Sequence, residues 1–427
     1  MKQLTSWGNY PRIESYQHYA EKTKVPQISN VAIARGLGRS YGDSALSENV
    51  ILSERLNRFS MFTESGLLTC DAGMTLGDIL EKFVPKGWFL PVTPGTKFVT
   101  VGGAIASDVH GKNHHSEGCF SDHVLSMVIL IDQSQIYCDR EQNADLFYAT
   151  CGGMGLTGVV IEATIQLKKI TSSYIDQKII KAENLETVLK LFNEHEHYTY
   201  SVAWIDCLST GEQLGRSILM LGEHAKEGEL KAHTDSPISI PFHFPSFILN
   251  KYSIQSFNFA YYHRLLKSEI NNVVHYDPFF YPLDGIQNWN RMYGKEGFTQ
   301  YQFVIPYSAG SEGLTKILTK IAESKQGSFL AVLKVFGESN NCPLSFPMKG
   351  YTLALDFKLD EKLFPLLEQF DAIVREFGGR LYLSKDVRMS EDMFKSGYPK
   401  WNEFQSVREK YDCINRYSSL QSKRIGL

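Results

Sequence analysis

Three glycine-rich segments before residue 160 constrain the fold more than any other feature of the chain. They read ARGLGRSYGDSA (34–45), PVTPGTKFVTVGGAIASDVHGKNHHSEG (91–118) and CGGMGLTG (151–158). Glycine permits φ > 0 and lets backbone N–H groups approach an anion closely. Three such loops in one β-rich stretch exceed what chain reversal needs, and convergence on one large cofactor is the economical reading. The first loop spaces Gly36, Gly38 and Gly42 two and four apart. That is not GxGxxG, and no strong amphipathic helix follows, so a Rossmann unit is not indicated. On spacing alone, phosphate binding and a plain tight turn are equally open.

Short β runs separate these loops. VAIARG (31–36) and LLTCDAG (67–73) read as strands, and TLGDILEKFVPKG as a helix with a glycine stop. WFLPVTPG reads as a strand running into a turn. VLSMVILID with QIYCD reads as a hairpin, DLFYATCGG as a short helix and LTGVVIEATIQL as a long strand. A second region begins near Thr171. There SVAWIDCL is a strand, and residues 222–245 read as one long loop. QYQFVIP, EGLTKILTKIAES, SFLAVLKVFG, YTLALDF, DEKLFPLLEQFDAIVREFGG and RLYLSKD then follow in the order β-α-β-β-α-β. That order predicts an α+β fold, an antiparallel sheet with helices on one face.

The length of 427 residues corresponds to two or three domains. Forty-four basic against 47 acidic residues leave a net charge of -3, which argues against nucleic acid as a partner. The seven cysteines are odd in number and lack a CxxC pair, as expected of reduced thiols in a cytoplasm. The start is polar, without the apolar core of a signal peptide. The longest apolar runs, such as VLSMVILI (124–131), fall far short of the ~18 residues of a membrane span. A cytoplasmic protein with at most peripheral membrane contact is expected. His110, His114 and His115 come without a cysteine pair or HExxH, so no metal is expected. Lys334 interrupts an apolar run, and a buried cation needs an anionic partner or a function. Gln300 and Gln302 share one strand face. On local evidence alone, each of these residues, like Trp204 and Lys385, reads as ordinary core or surface rather than as part of a site.

Taken together, ARGLGRSYGD, LPVTPGTKFVTVGGAIASDVHGKNHHSEG and GGMGLTGVV resemble the flavoproteins of the vanillyl-alcohol-oxidase type, with their PCMH-type FAD-binding domain. SVAWIDC, NKYSI, FTQYQFVIP, LKVFG, PLSFP and EFGGRLYLSKD extend the resemblance, nearly end to end, to the polyprenylphosphoryl-ribose oxidases within that group. The resemblance implies a two-part FAD domain, 1–172 completed by 380–427, and a substrate domain, 173–379. It implies FAD held by Arg35, Gly36, Leu37, Gly38, Arg39, Ser40, Tyr41 and Gly42. The second loop would add Pro94, Gly95, Thr96, Val99, Gly102, Gly103, Ala106, His110, Gly111, Asn113 and His114. Gly155, Gly158, Val160 and Tyr382 would complete the cradle. Related sugar-lactone oxidases carry a flavin-linked histidine in an RGxGHS context. Arg39 stands there in RGLGRS, so the FAD should be non-covalent.

The implied reaction removes a hydride from the ribose C2′ of a lipid-linked sugar phosphate, leaving a 2′-keto sugar. A separate NADH-dependent short-chain reductase would then give the arabinose epimer used in cell-wall biosynthesis. Lys385 would sit beside the reacting hydroxyl, with Tyr41 the second choice as base. His110 and Lys112 would flank the site. Lys334, Gln300 and Gln302 would contact the sugar or its phosphate, and Trp204 and Phe336 would form apolar walls. Mycobacterial members have a cysteine where Ala354 stands; that thiol has no redox duty in the implied mechanism, so its loss should not abolish oxidation. A soluble sugar or aldonolactone oxidase and a non-catalytic flavin-binding scaffold are the alternatives.

Overall fold

Period-two alternation of side chains builds the main sheet, because successive residues of a strand point to opposite faces. The computed structural model describes residues 1–22, 28, 30–234, 238–245 and 247–427. Its largest sheet has eight strands in the order Glu269–His275, Tyr174–Ala182, Ser217–His224, Tyr200–Ile205, Ala331–Phe336, Gly350–Lys358, Phe298–Pro306 and Arg380–Leu381. Every neighbouring pair is antiparallel. One face presents Ala203, Ile205, Leu219, Leu221, Phe303, Ile305, Leu333, Leu353 and Leu355 to a core shared with three helices. These are Leu185–Glu194, Gly310–Ser324 and Leu363–Glu376. Leu314, Ile317, Leu318 and Ile321 give the second helix its buried stripe at helical spacing. The fold is α+β, and the β-α-β-β-α-β order holds from Phe298 to Leu381. The opposite sheet face carries Trp204, Gln300, Gln302, Lys334 and Ala354 and floors a cavity.

The first region holds two smaller sheets. One is antiparallel, in the order Phe59–Phe62, Leu67–Asp71, Val159–Gln166, Val124–Ile131, Ser134–Asp139. The other orders Lys2–Thr5, Arg12–Tyr19, Asn49–Leu52 and Ile33–Arg35, and its last three strands run parallel. The helix Leu76–Phe83 starts at Thr75, whose side chain accepts from the Asp78 N–H while Asp78 answers in a capping box. Its exit turn ends on Gly87 at φ 82°, a conformation glycine adopts without a Cβ penalty.

Three sequence expectations change. RLYLSKD forms strand only at Arg380–Leu381, and Lys385 lies in a turn whose N–H donates to Tyr382 O at 3.0 Å. Asp386 stabilises the next turn by accepting from the Arg388 and Met389 N–H groups. WFLPVTPG is strand only at Trp88–Phe89; the prolines that follow have no N–H for a ladder. The segment 222–245 is not one loop. Gly222 to His224 close a strand, and Ile238–Ser239 pairs in parallel with Ile286–Gln287. Residues 235–237 lie outside the described residues.

Residues 382–427 return to the first region. Ala32 N–H donates to Arg416 O and Leu420 N–H to Leu46 O, each within 2.9 Å. Arg424 bridges Asp43 at 2.7 Å and Asp386 at 2.9 Å, and both carboxylates are buried. Removing one member of a buried ion cluster leaves uncompensated charge. Arg424→Ala is expected to lower stability by about 3 kcal/mol, read as a fall in thermal midpoint; an unchanged midpoint would refute the clamp.

Candidate active site

The polar face of the large sheet, the glycine loops and the 382–386 turn enclose one cavity of about 1150 Å³. That exceeds the ~300–1,000 Å³ usual for small-molecule pockets and suits a large cofactor together with a substrate. Most of the expected site residues line it. They are Arg35 to Tyr41, Pro94, Gly95, Thr96, Val99, Gly102, Gly103, Ala106, His110, Gly111, Lys112, Gly155, Gly158, Val160, Trp204, Gln300, Gln302, Lys334, Tyr382 and Lys385. Ala354 also lines it.

Four expected residues do not. Gly42 packs on backbone, where a Cβ would fall 1.6 Å from Asp386 O. Asn113 spends its amide on Pro91 O and Glu117. His114 accepts from the Gly337 N–H at 3.1 Å, and burial pushes its pKa down to about 3. Phe336 is covered by the His110 ring, edge-on at 4.7 Å, and so backs the site rather than walling it. The histidines of the second loop have separate partners: His115 contacts Tyr198 O, whereas His110 contacts Gln302 and Lys334.

Two polar clusters sit on the sheet face. In the first, the Thr352 hydroxyl donates to Phe303 O at 2.8 Å and accepts from Gln302 Nε2 at 3.3 Å. The same amide nitrogen donates to His110 Nε2 at 3.1 Å. His110 Nε2 is then an acceptor, and the neutral ring carries its proton on Nδ1. Nδ1 lies 3.2 Å from Lys334 Nζ, which accepts from it only as a free amine. Burial, with Lys112 and Lys385 nearby, pushes Lys334 down to about 7. Burial, with Lys334, His114 and Lys385 nearby, holds His110 well below its ordinary value. Lys112 donates to Phe280 O at 3.0 Å and is pushed down to about 8 by burial.

The second cluster surrounds Asp356, a buried carboxylate that the sequence reading passed over. Gln300 donates to it at 2.5 Å and the Tyr293 hydroxyl at 3.5 Å. Burial raises Asp356 and lowers Lys385, and the attraction between them opposes both shifts. Lys385 Nζ stands 3.7 Å from the Tyr41 ring centroid. Burial raises the Tyr41 phenol well above its ordinary value, so it stays protonated at neutral pH. The missed signal was an acid at alternate spacing from Ala354 within the apolar strand YTLALDF. Trp204 donates Nε1–H to Phe329 O at 3.1 Å and presents its ring to the cavity. Arg39 stacks 4.1 Å over Trp7.

A family model described as an FAD binding domain matches residues 14–137, and one described as D-arabinono-1,4-lactone oxidase matches 297–424. The chain is 38% identical to a decaprenylphosphoryl-β-D-ribose oxidase of Mycolicibacterium smegmatis, across 100% of this chain and 98% of that one. This chain belongs to that flavoprotein oxidase family. An uncharacterised protein from the mprA 5′ region of Streptomyces coelicolor is 28% identical over 83% of the chain and 100% of its own length. Mouse L-gulonolactone oxidase is 23% identical over 96% and 95%. The protein is thus an FAD-dependent oxidoreductase. The cavity fits the cofactor: a Cβ at Gly95 would meet no protein atom within 4 Å, and one at Gly103 only Thr100 Oγ1 at 3.0 Å. Backbone there is bare toward the space a large ligand takes.

Lys334 supplies a test of the electrostatics. Its pKa is depressed in the folded state, so between about pH 7 and about pH 10 the unfolded chain binds more protons, and stability rises with pH. Lys334→Met should therefore stabilise the apoprotein most at and below neutral pH, with the gain fading toward about pH 10. Denaturant titrations across that range check this; a gain independent of pH would refute it.

Proposed function

We propose that this protein oxidises the 2′-hydroxyl of a polyprenyl-phosphate-linked ribose to the 2′-keto sugar. In this reading residues 1–172 with 380–427 hold FAD, and 173–379 hold the sugar. The observation that carries it is the full-length likeness to the mycobacterial oxidase. The two polar clusters facing one cavity support it. When bound, FAD accepts the hydride from the alcohol carbon. The protein must bind the sugar, orient its hydroxyl and take the hydroxyl proton. Lys385, lowered by burial, is the group suited to polarise the hydroxyl and assist proton removal. Asp356, held by Gln300, attracts its ammonium by charge, and the Tyr41 ring lies against it in a cation–π contact. Gln302 and Lys334, both held by neutral His110, offer hydrogen bonds to the sugar, with Lys112 beside them. Trp204 supplies an apolar wall.

The 2′-keto product needs a reductant to become arabinose, and the partner we propose is an NADH-dependent short-chain reductase. We place the protein in the cytoplasm, peripheral at the inner face of the membrane. Among the described residues no helix is long and apolar enough to cross a membrane. A second reading, a soluble aldonolactone oxidase, is favoured by the lactone-oxidase match over 297–424.

Anaerobic titration with a short-chain prenylphosphoryl ribose should bleach the flavin band near ~450 nm, and an added acceptor should restore it. Lys385→Ala should keep its FAD yet slow flavin reduction by about 100-fold or more. Bleaching by free lactones alone would favour the second reading, and a fully active Lys385→Ala would remove the assigned role.

The FAD is held without a covalent bond in this proposal, since Arg39 is occupied on Trp7 and is no nucleophile toward flavin. Acid precipitation of the holoprotein should leave the yellow colour in the supernatant. Colour in the washed pellet would overturn the point.

A further inference from the structure

The helix Lys251–His263 forms part of the cavity rim and presents three distinct faces. Ile254, Asn258 and Tyr262 recur every four residues and are buried, with Asn258 donating to Asp206 at 2.7 Å. Phe257, Tyr261 and Arg264 form a second stripe and line the cavity mouth. The third face carries Tyr252 and Phe259, seven residues apart, at 78% and 57% exposure. A soluble surface helix ordinarily places charge on that outer face. Here it is aromatic.

The neighbouring chain continues the pattern. Phe242 and Phe247 are 63% and 74% exposed, and Leu266 is 96% exposed. Among the described residues, eight of the sixteen large apolar side chains that are exposed fall between Ile238 and Leu266. That density marks an interaction surface, since scattered exposed apolar residues are normal and clustered ones are not. The stretch 238–268 contains no aspartate or glutamate, but does contain Lys251, Arg264 and Lys267. Ile238–Ser239 pairs with Ile286–Gln287, which also lines the cavity. The patch is therefore continuous with the mouth through which a substrate enters.

We infer that this surface docks on a lipid bilayer containing anionic lipids and sets the cavity mouth against the headgroup layer. Aromatic side chains with basic residues and no acidic ones suit that interface, where rings sit at the headgroup level and cations meet lipid phosphates. A soluble partner protein would not require the acid-free composition. A second copy of this chain would bring like charges from Lys251, Arg264 and Lys267 together. The inference rests on the lipid-linked substrate reading for its purpose, while the docking itself needs no sugar.

The test is cosedimentation of the FAD-loaded full chain with large unilamellar vesicles, either phosphatidylcholine alone or with about 30 mol% phosphatidylglycerol. Binding should strengthen about ten-fold or more with the anionic lipid and weaken as salt rises. The triple variant Phe247→Asp/Tyr252→Asp/Phe259→Asp touches no cavity-lining residue. It should keep its flavin content and thermal midpoint while losing about ten-fold or more in vesicle binding. Lys251→Glu/Lys267→Glu should lose the preference for anionic vesicles. No binding of the wild type to either vesicle, or equal binding by the triple variant, overturns the inference. So does a wild-type dimer, seen by sedimentation equilibrium, that the triple variant breaks, for then the face belongs to a second copy. The vesicles carry no ribose. A protein that binds them but leaves prenylphosphoryl ribose unoxidised refutes the substrate and leaves the docking surface standing.

Discussion

An antiparallel sheet packed on helices along one face, with glutamine, lysine and carboxylate on the other, is stable only if those polar groups find partners. The rest of the molecule answers that requirement. His110, carried by the second glycine loop, accepts from Gln302 and meets Lys334, both on the sheet. Lys385, carried by the 382–386 turn, neutralises part of the field of Asp356, which Gln300 also holds. Each cluster thus joins the sheet to an element from outside it. Burial then sets the protonation states, holding His110 neutral and bringing Lys334 near neutrality.

The glycine loops and the C-terminal segment close the cavity from the other side. Close packing explains several of the glycines: a Cβ at Gly42 or Gly36 would strike Asp386 O or the Thr100 hydroxyl. Others, such as Gly95, leave backbone bare to the cavity. One motif therefore serves both folding and cofactor binding, and the two uses separate only in three dimensions. Arg424, between Asp43 and Asp386, ties the turn carrying Lys385 to the first glycine loop.

The cavity opens beside the helix Lys251–His263, whose inward aromatic stripe and outward aromatic face lie on one element. Under the proposed docking, this mouth sets the oxidising site against the bilayer that holds the substrate, and among the described residues no helix is long and apolar enough to cross it. In that proposal the chemistry belongs to the polar sheet face and the carrier to the apolar rim.

Local rules made much of this legible from the chain. Alternation put Gln300 and Gln302 on one face, helical spacing found Gly310–Ser324 and Leu363–Glu376, and the glycine loops with their flanking motifs indicated the flavoprotein family. These depend on neighbours in sequence, so residue order alone determines them. Tertiary structure decided that Asp356, unremarked in an apolar strand, faces Gln300, and that Phe336 lies behind His110. It also placed Lys385 in a turn, where RLYLSKD had suggested a strand, and turned Gly42 and Asn113 to structural contacts. The physical reason is that desolvation and hydrogen-bond partnership are set by groups hundreds of residues apart in the chain. Lys334 and His110 are 224 positions apart, and no local pattern encodes their 3.2 Å contact.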